Sequence, residues 1–155
     1  MTNSSVCLRN RQRTRPVNLR LLRQILLALL QDLLSVRSFE IGIHLVDAPE
    51  IIQLNETFLH HAGPTDVITF NYSSPAESDR LQGEIFICVG EAVAQARRFR
   101  TTWRAELVRY AVHGALHLLG HDDLKPAPRR QMKREEDRLV RVLARRFSFQ
   151  ALQGR

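Results

Sequence analysis

Three histidines and two aspartates fall within eleven residues, His113-Gly-Ala-Leu-His117-Leu-Leu-Gly-His121-Asp122-Asp123. These are side chains that hold divalent metals. His113 and His117 are four residues apart. On a helix that spacing puts both imidazoles on one face, one turn apart, where they can chelate a single ion. Gly120 is placed to stop the helix, and a turn there can bring His121, Asp122 or Asp123 back toward the ion. Two ligands from a helix and one from the following turn leave a coordination position open, the arrangement of a catalytic zinc. Two helix histidines alone would be weak evidence. Five donor residues around a helix-ending glycine, with no Lys or Arg from Tyr110 to Leu124, are much stronger. Gly114 stands where a metalloprotease carries its glutamate base. That counts against peptide hydrolysis and leaves metal-activated water as the nucleophile.

The elements that would position these residues can be read on either side of them. Val6–Leu8 suits a short strand. Pro16 and Asn18 open a helix to about Leu34, with Leu19, Leu22, Leu26, Leu29 and Leu33 as its inward stripe. Phe39 to Val46 alternates as a strand, with Glu40 and His44 on one face and Ile41, Ile43 and Leu45 on the other. Asp47, with Glu50 three residues on, has capping-box spacing and predicts a helix to Phe58 or Leu59. Gly63-Pro64 breaks the chain, Val67–Phe70 is a short strand, and Ser73 to Asp79 is a polar loop. Glu84 to Val89 is a continuous apolar run, which predicts a central strand. Glu91 to about Arg98 is helical. Thr101 or Thr102 caps the metal helix, which runs to Leu119. Pro126 and Pro128 precede a last helix over 129–146, with Met132, Leu139, Val142 and Leu143 inward. The pattern is α/β: a small mixed four-stranded sheet with about five helices.

Bulk properties set the class. The 155 residues, 44% hydrophobic and 25% charged, suit a single domain over residues 1–155 with one core. The net charge of +7 is uneven. Residues 1–37 carry seven Arg against one acid, 38–123 six basic against twelve acidic residues, and 124–155 ten basic against three acidic. Basic terminal segments around an acidic middle suit a nucleic-acid partner, because Arg neutralises phosphate, although Arg-rich helix faces can also be simply solvated. Cys7 and Cys88 make no disulfide framework, which points to a reducing compartment and the cytoplasm. The stretch from Leu19 to Leu34 is interrupted by Arg20, Arg23, Gln24, Gln31 and Asp32, so no membrane span is expected.

The motif His113-Gly-Ala-Leu-His-Leu-Leu-Gly-His-Asp-Asp123 resembles the YbeY family signature HGxLHLxGYDH. Other segments agree in order. Leu54 to Val67 resembles LNxxYRxxDxPTDV, Leu81 to Cys88 resembles LGDIVIC, and Met132 to Glu136 resembles a late MxxxE. The resemblance runs from about Phe39 to Leu143. It implies an α/β sandwich and a zinc-dependent, single-strand-specific endoribonuclease. The implied role is late rRNA maturation at the 16S rRNA 3′ end and ribosome quality control, with ribosomal RNA and the small ribosomal subunit as partners. One Zn2+ per chain is implied, and no small-molecule cofactor.

Register with the signature selects Asp123 as the third ligand beside His113 and His117, with His121 as the alternative. The same alignment places Asn55, Thr65 and Asp66 at family positions lining the cleft; Pro64-Thr-Asp is equally a turn leading into a strand. Asp66 or Glu84 is a candidate to orient a ligand histidine, with Glu84 otherwise facing solvent at a strand end. Arg109, like Arg97, Arg98, Arg100 and Arg104, lies on the approach to the metal helix and is a candidate for phosphate. Two departures bear on activity. Asp123 replaces the family's third His, adding a negative charge to the centre. Leu59 stands where the family carries an Arg that would neutralise charge on phosphate; His60 or His61 beside it is the available substitute. The alternative to an enzyme is therefore a ribosome-associated biogenesis factor that keeps a structural metal.

Overall fold

The computed structural model describes residues 4–59, 65–73 and 80–154. Four strands form one sheet: β1 (Ser5–Asn10), β2 (Ser38–Val46), β3 (Val67–Asn71) and β4 (Arg80–Cys88), in the order β1-β2-β4-β3. β1, β2 and β4 are parallel, and β3 runs antiparallel against β4. The sheet is mixed, as its alternating and continuous apolar runs predict, and β4 is interior.

The two faces of the sheet differ. Ile41, Ile43, Leu45, Leu81, Ile85 and Ile87 point into the main core, which is covered by α1 (Leu19–Leu27), α3 (Val89–Phe99), α4 (Trp103–Leu118) and α5 (Pro126–Arg146). On the other face a smaller cluster of Val46, Ile51, Ile68, Phe86 and Cys88 lies under α2 (Ala48–Leu54). Part of this second face is left to polar residues.

Local chemistry explains the helices and corrects several expectations. The Asn18 side chain accepts the Leu21 N–H at 3.1 Å and caps α1. α1 runs on as a π-helical segment, Ala28–Leu33. Its wider turn rotates the buried face, so Leu30 is enclosed as well as Leu29, while Leu19 and Leu33 are only partly buried. Asp47 occupies the N-cap position of α2 but makes no capping bond. Its carboxylate accepts instead from the Arg13 N–H and the Thr14 hydroxyl, tying the segment after β1 to this helix. α2 continues as a π-helical segment, Asn55–Leu59. Thr102, not Thr101, caps α4, accepting from the Ala105 N–H. Pro126 and Pro128 lie inside the first turn of α5 rather than before it, where a missing N–H costs nothing. Val142 is only partly buried, and Glu136 takes an inward place. No described helix is long and apolar enough to cross a membrane.

Two glycines set how closely α4 approaches the sheet. A Cβ on Gly114 would meet Ile85 Cγ2 at 2.7 Å, and one on Gly83 would meet Leu118 Cδ2 at 2.8 Å. The position where a metalloprotease carries its glutamate is thus turned into the sheet and filled by β4.

Candidate metal centre

Residues 106, 110, 113 and 117 recur at helical spacing along α4 and share one face. His113 Nε2 and His117 Nε2 stand 3.1 Å apart. Past His117 the helix closes with a Schellman motif. Gly120, at φ +98°, donates its N–H to the His117 carbonyl, and the His121 N–H reaches the Leu116 carbonyl. This reversal brings Asp123 Oδ2 to 3.2 Å from His117 Nε2 and 3.6 Å from His113 Nε2. Among the described residues, His113, His117 and Asp123 form the group of potential ligand atoms that lie within 4.8 Å of one another. His121 is not part of it; its charge acts instead on Glu135 of α5.

Behind His113, Glu136 Oε2 lies 2.8 Å from Nδ1. Arg109 bonds both Glu136, at 2.8 Å, and Asp137, at 2.7 Å. Burial lowers the His113 pKa, but the hydrogen bond and charge of Glu136, with Asp66 and Asp123 beyond it, raise it further, and the net shift is upward. Burial likewise raises the Glu136 carboxyl, yet His113 and Arg109 outweigh it and hold it below the usual carboxylate range. With Glu136 ionised, the neutral His113 tautomer places its proton on Nδ1 and a lone pair on Nε2.

The donor set fits a divalent ion. Three atoms that can each offer a lone pair converge, and a single proton on His117 Nε2 is all the protein can place between them in its neutral form. Their separations of 3.1, 3.2 and 3.6 Å bracket the edge of a tetrahedron with zinc bonds of about 2.0–2.1 Å, roughly 3.3 Å. The two imidazoles are 27% and 26% exposed and the carboxylate 37%, so an ion held by them would remain accessible from solvent.

The other expected site residues are placed differently. Asp66 is exposed and lines a cavity of about 520 Å³ that reaches His113. Its carboxylate accepts the Val67 N–H at 2.8 Å, with the Thr65 hydroxyl at 3.4 Å, so Thr65 and Asp66 also form the turn into β3. Asn55 is 5% exposed, so its amide is enclosed rather than displayed for a substrate. His60 and His61 lie outside the described residues. The Arg109 guanidinium is committed to two carboxylates, which makes it a brace for Glu136 rather than a free phosphate contact. Glu84 sits on the far face of the sheet, bonded to His44 and Tyr72, and does not serve the centre. Glu136 is the residue whose part the sequence reading overlooked. Its signal is that it alone of the three adjacent acids Glu135, Glu136 and Asp137 falls on the inward stripe Met132, Glu136, Leu139, Leu143.

A mixed α/β sheet carries a two-histidine helix, a carboxylate returned by its C-cap and a second carboxylate behind the first histidine, which together make a candidate metal centre. The chain belongs to the family described as Endoribonuclease YbeY, whose pattern it matches over residues 8–144. It is 40% identical over 91 residues to Endoribonuclease YbeY of Chlorobium phaeovibrioides, a match spanning 59% of this chain and 60% of that protein. It is also 40% identical over 103 residues to Endoribonuclease YbeY of Elusimicrobium minutum, spanning 65% of this chain and 72% of that one. The chain thus matches about three-fifths to three-quarters of the length of these curated relatives. The solution structure of TM1509 from Thermotoga maritima has the same fold, with a TM-score of 0.65, 25% identity and coverage of 90% of this chain and 89% of that one.

Proposed function

We propose that this protein is a zinc-dependent endoribonuclease acting on single-stranded RNA. The observation that carries this reading is the convergence of His113, His117 and Asp123, with Glu136 at His113 Nδ1, in a chain of this family. When bound, a divalent ion supplies the Lewis acidity that polarises a phosphodiester and makes water nucleophilic near neutral pH.

The protein's own groups do the rest. Glu136 holds the Nδ1 proton of His113, fixing its ring and leaving Nε2 to face the open side. Arg109 balances the charge of Glu136, so the buried carboxylate stays ionised. Asp123 adds a negative charge that a neutral third ligand would not bring. The remaining substrate charge falls to exposed cations; Arg129, Arg130 and Arg134 are exposed together on α5, the helix that also carries Glu136. The natural setting of such an activity is late rRNA maturation at the 16S rRNA 3′ end in the cytoplasm, with the small ribosomal subunit as partner.

Zinc-loaded protein is expected to cut unstructured RNA, and His113→Ala to abolish the cutting. If wild type and His113→Ala leave RNA equally intact, the nuclease reading fails. The second reading, a non-catalytic ribosome-associated factor with a structural metal, is favoured by Leu59, a 42% exposed apolar side chain where the resemblance calls for Arg. It requires that metal removal leave ribosome binding unchanged and that no metal-dependent strand cleavage occur.

A further inference from the structure

The cavity that opens beside His113 has a chemistry that phosphate binding does not explain. It encloses about 520 Å³ and is lined by Phe99, Thr101, Glu106, Tyr110, Asp66 and Gln95, among others, before reaching His113 and Glu136. Phe99, at the end of α3, is 61% exposed, and the Arg98 guanidinium sits 5.2 Å from its ring centroid. Glu106 is only 9% exposed, and its Oε1 accepts the Thr101 hydroxyl at 2.8 Å. Oε2 has no hydrogen-bond partner among the described residues. Yet no enclosed side-chain polar atom there lacks one. Oε2 is therefore open to solvent, and the cavity is what Glu106 lines.

Arg109 and Lys133 also line the cavity, but both are paired with Glu136 and Asp137, so the charge on its wall that meets no cation among the described residues is that of Asp66 and Glu106. Such a wall is a poor seat for phosphate. It suits a group that brings N–H donors and a flat apolar face. A nucleobase has both: a face that stacks on an aromatic ring and an edge that hydrogen-bonds. Among the four bases of RNA, guanine offers two adjacent donors on its Watson–Crick edge, N1–H and the 2-amino group, and a carboxylate accepts that pair best. Glu106 lies seven residues before His113 on the same face of α4, about 10 Å along the axis. A nucleotide neighbouring a phosphodiester at the metal centre spans such a distance.

We infer that Phe99 and Glu106 form a nucleobase subsite that selects guanine in the nucleotide next to the bond being cut. The inference rests on the nuclease reading for the position of the scissile bond, but not for the binding itself. Phe99 stacks on the base, and Glu106 reads its donor edge.

The test is binding of GMP, IMP, AMP, CMP and UMP to metal-free full-length protein, followed by NMR titration and competition. The phosphate is common to all five, so differences report the base. GMP should bind tightest, and IMP, lacking the 2-amino group, should lose several-fold. Phe99→Ala should weaken all five roughly tenfold, as loss of one stacking partner does. Glu106→Gln should remove the preference for GMP while leaving the stacking contribution. Because Phe99 is exposed, its variant should keep the wild-type melting profile, so a loss of binding reports the site. Equal binding of all five nucleotides, or a GMP preference untouched by either variant, overturns the subsite. Mapping cleavage on a mixed-sequence oligonucleotide separates the two ideas. Cutting with no guanine bias sinks the subsite and leaves the nuclease, whereas GMP selectivity without cutting leaves the subsite and sinks the nuclease.

Discussion

Two histidine–glutamate pairs lie on opposite faces of the sheet, and they do different things. His113 meets Glu136 through Nδ1 and leaves Nε2 facing His117 and Asp123. His44 meets Glu84 through Nε2 at 3.0 Å, and its other nitrogen is taken by Arg11 Nη1 at 3.2 Å. Arg11 always donates, so His44 Nδ1 is the acceptor and Nε2–H donates to Glu84. The ring is also stacked on Phe86 at 4.3 Å, and the residue is 8% exposed. Tyr72 bonds the second oxygen of Glu84, and Arg11 goes on to Glu50 of α2. Every hydrogen-bonding position of the His44 ring is therefore used to lock β1, β2, β4 and α2 together. The carboxylate does not by itself mark a histidine as chemical. What distinguishes His113 is that its second nitrogen faces two other potential ligands, His117 and Asp123, rather than a structural donor.

That contrast can be broken by substitution. His113→Ala is expected to bring zinc content, measured by elemental analysis, down to background and to abolish cleavage, whereas His44→Ala should retain a full complement of metal. Asp123→Ala should lose metal while His121→Ala keeps it; the opposite result would transfer the third ligand to His121. Glu136→Gln should weaken metal affinity by about 10–100-fold, the usual cost of losing a partner behind a ligand histidine. Glu84→Gln should leave that affinity unchanged, and a matching loss there would erase the distinction between the faces. His44→Ala should instead cost about 2 kcal/mol of stability in denaturant unfolding, because it empties a buried position and strands a hydrogen-bond network.

The smallest effect is in acid. Burial raises the Glu84 pKa, but bonds from Tyr72 and His44 lower it more, so it sits below the usual carboxylate value. A depressed carboxylate contributes stability above its unfolded pKa and loses it as pH falls through the folded one. The melting temperatures of wild type and Glu84→Gln should therefore differ at neutral pH, and the gap should begin to close only as pH falls below the ordinary glutamate pKa of about 4.3. A gap that stays constant through the acid limb, well below the ordinary carboxylate range, would show that the ionised form of Glu84 contributes nothing.

Much of this was legible in the residues. The i, i+4 histidines and Gly120 define the centre and its turn, because helix spacing and a positive-φ glycine are local rules. The sheet and its interior strand follow from the alternation of Phe39–Val46 and the apolar run ending at Val89. Glu136 and the commitments of Arg109 depend on how α5 packs against α4, and periodicity gives only the face, not the partner. The same limit misplaced Glu84: a polar residue in an apolar strand was visible, but which side of the sheet it served was set by the register with His44. Asp47 had capping-box spacing, yet tertiary donors from Arg13 and Thr14 took its carboxylate.

The Schellman turn after His117 also bears on the order of assembly. All three candidate ligands come from eleven consecutive residues, so the chain entropy lost in gathering them is small. Helix α4 and its cap therefore suffice to present a weak chelate as soon as they form. Glu136 joins only when α5 docks, raising the basicity of His113 at that moment. Metal capture is thereby expected to be tied to completion of the fold: the nascent helix holds the ion loosely, and docking of the last long helix turns a transient encounter into retention.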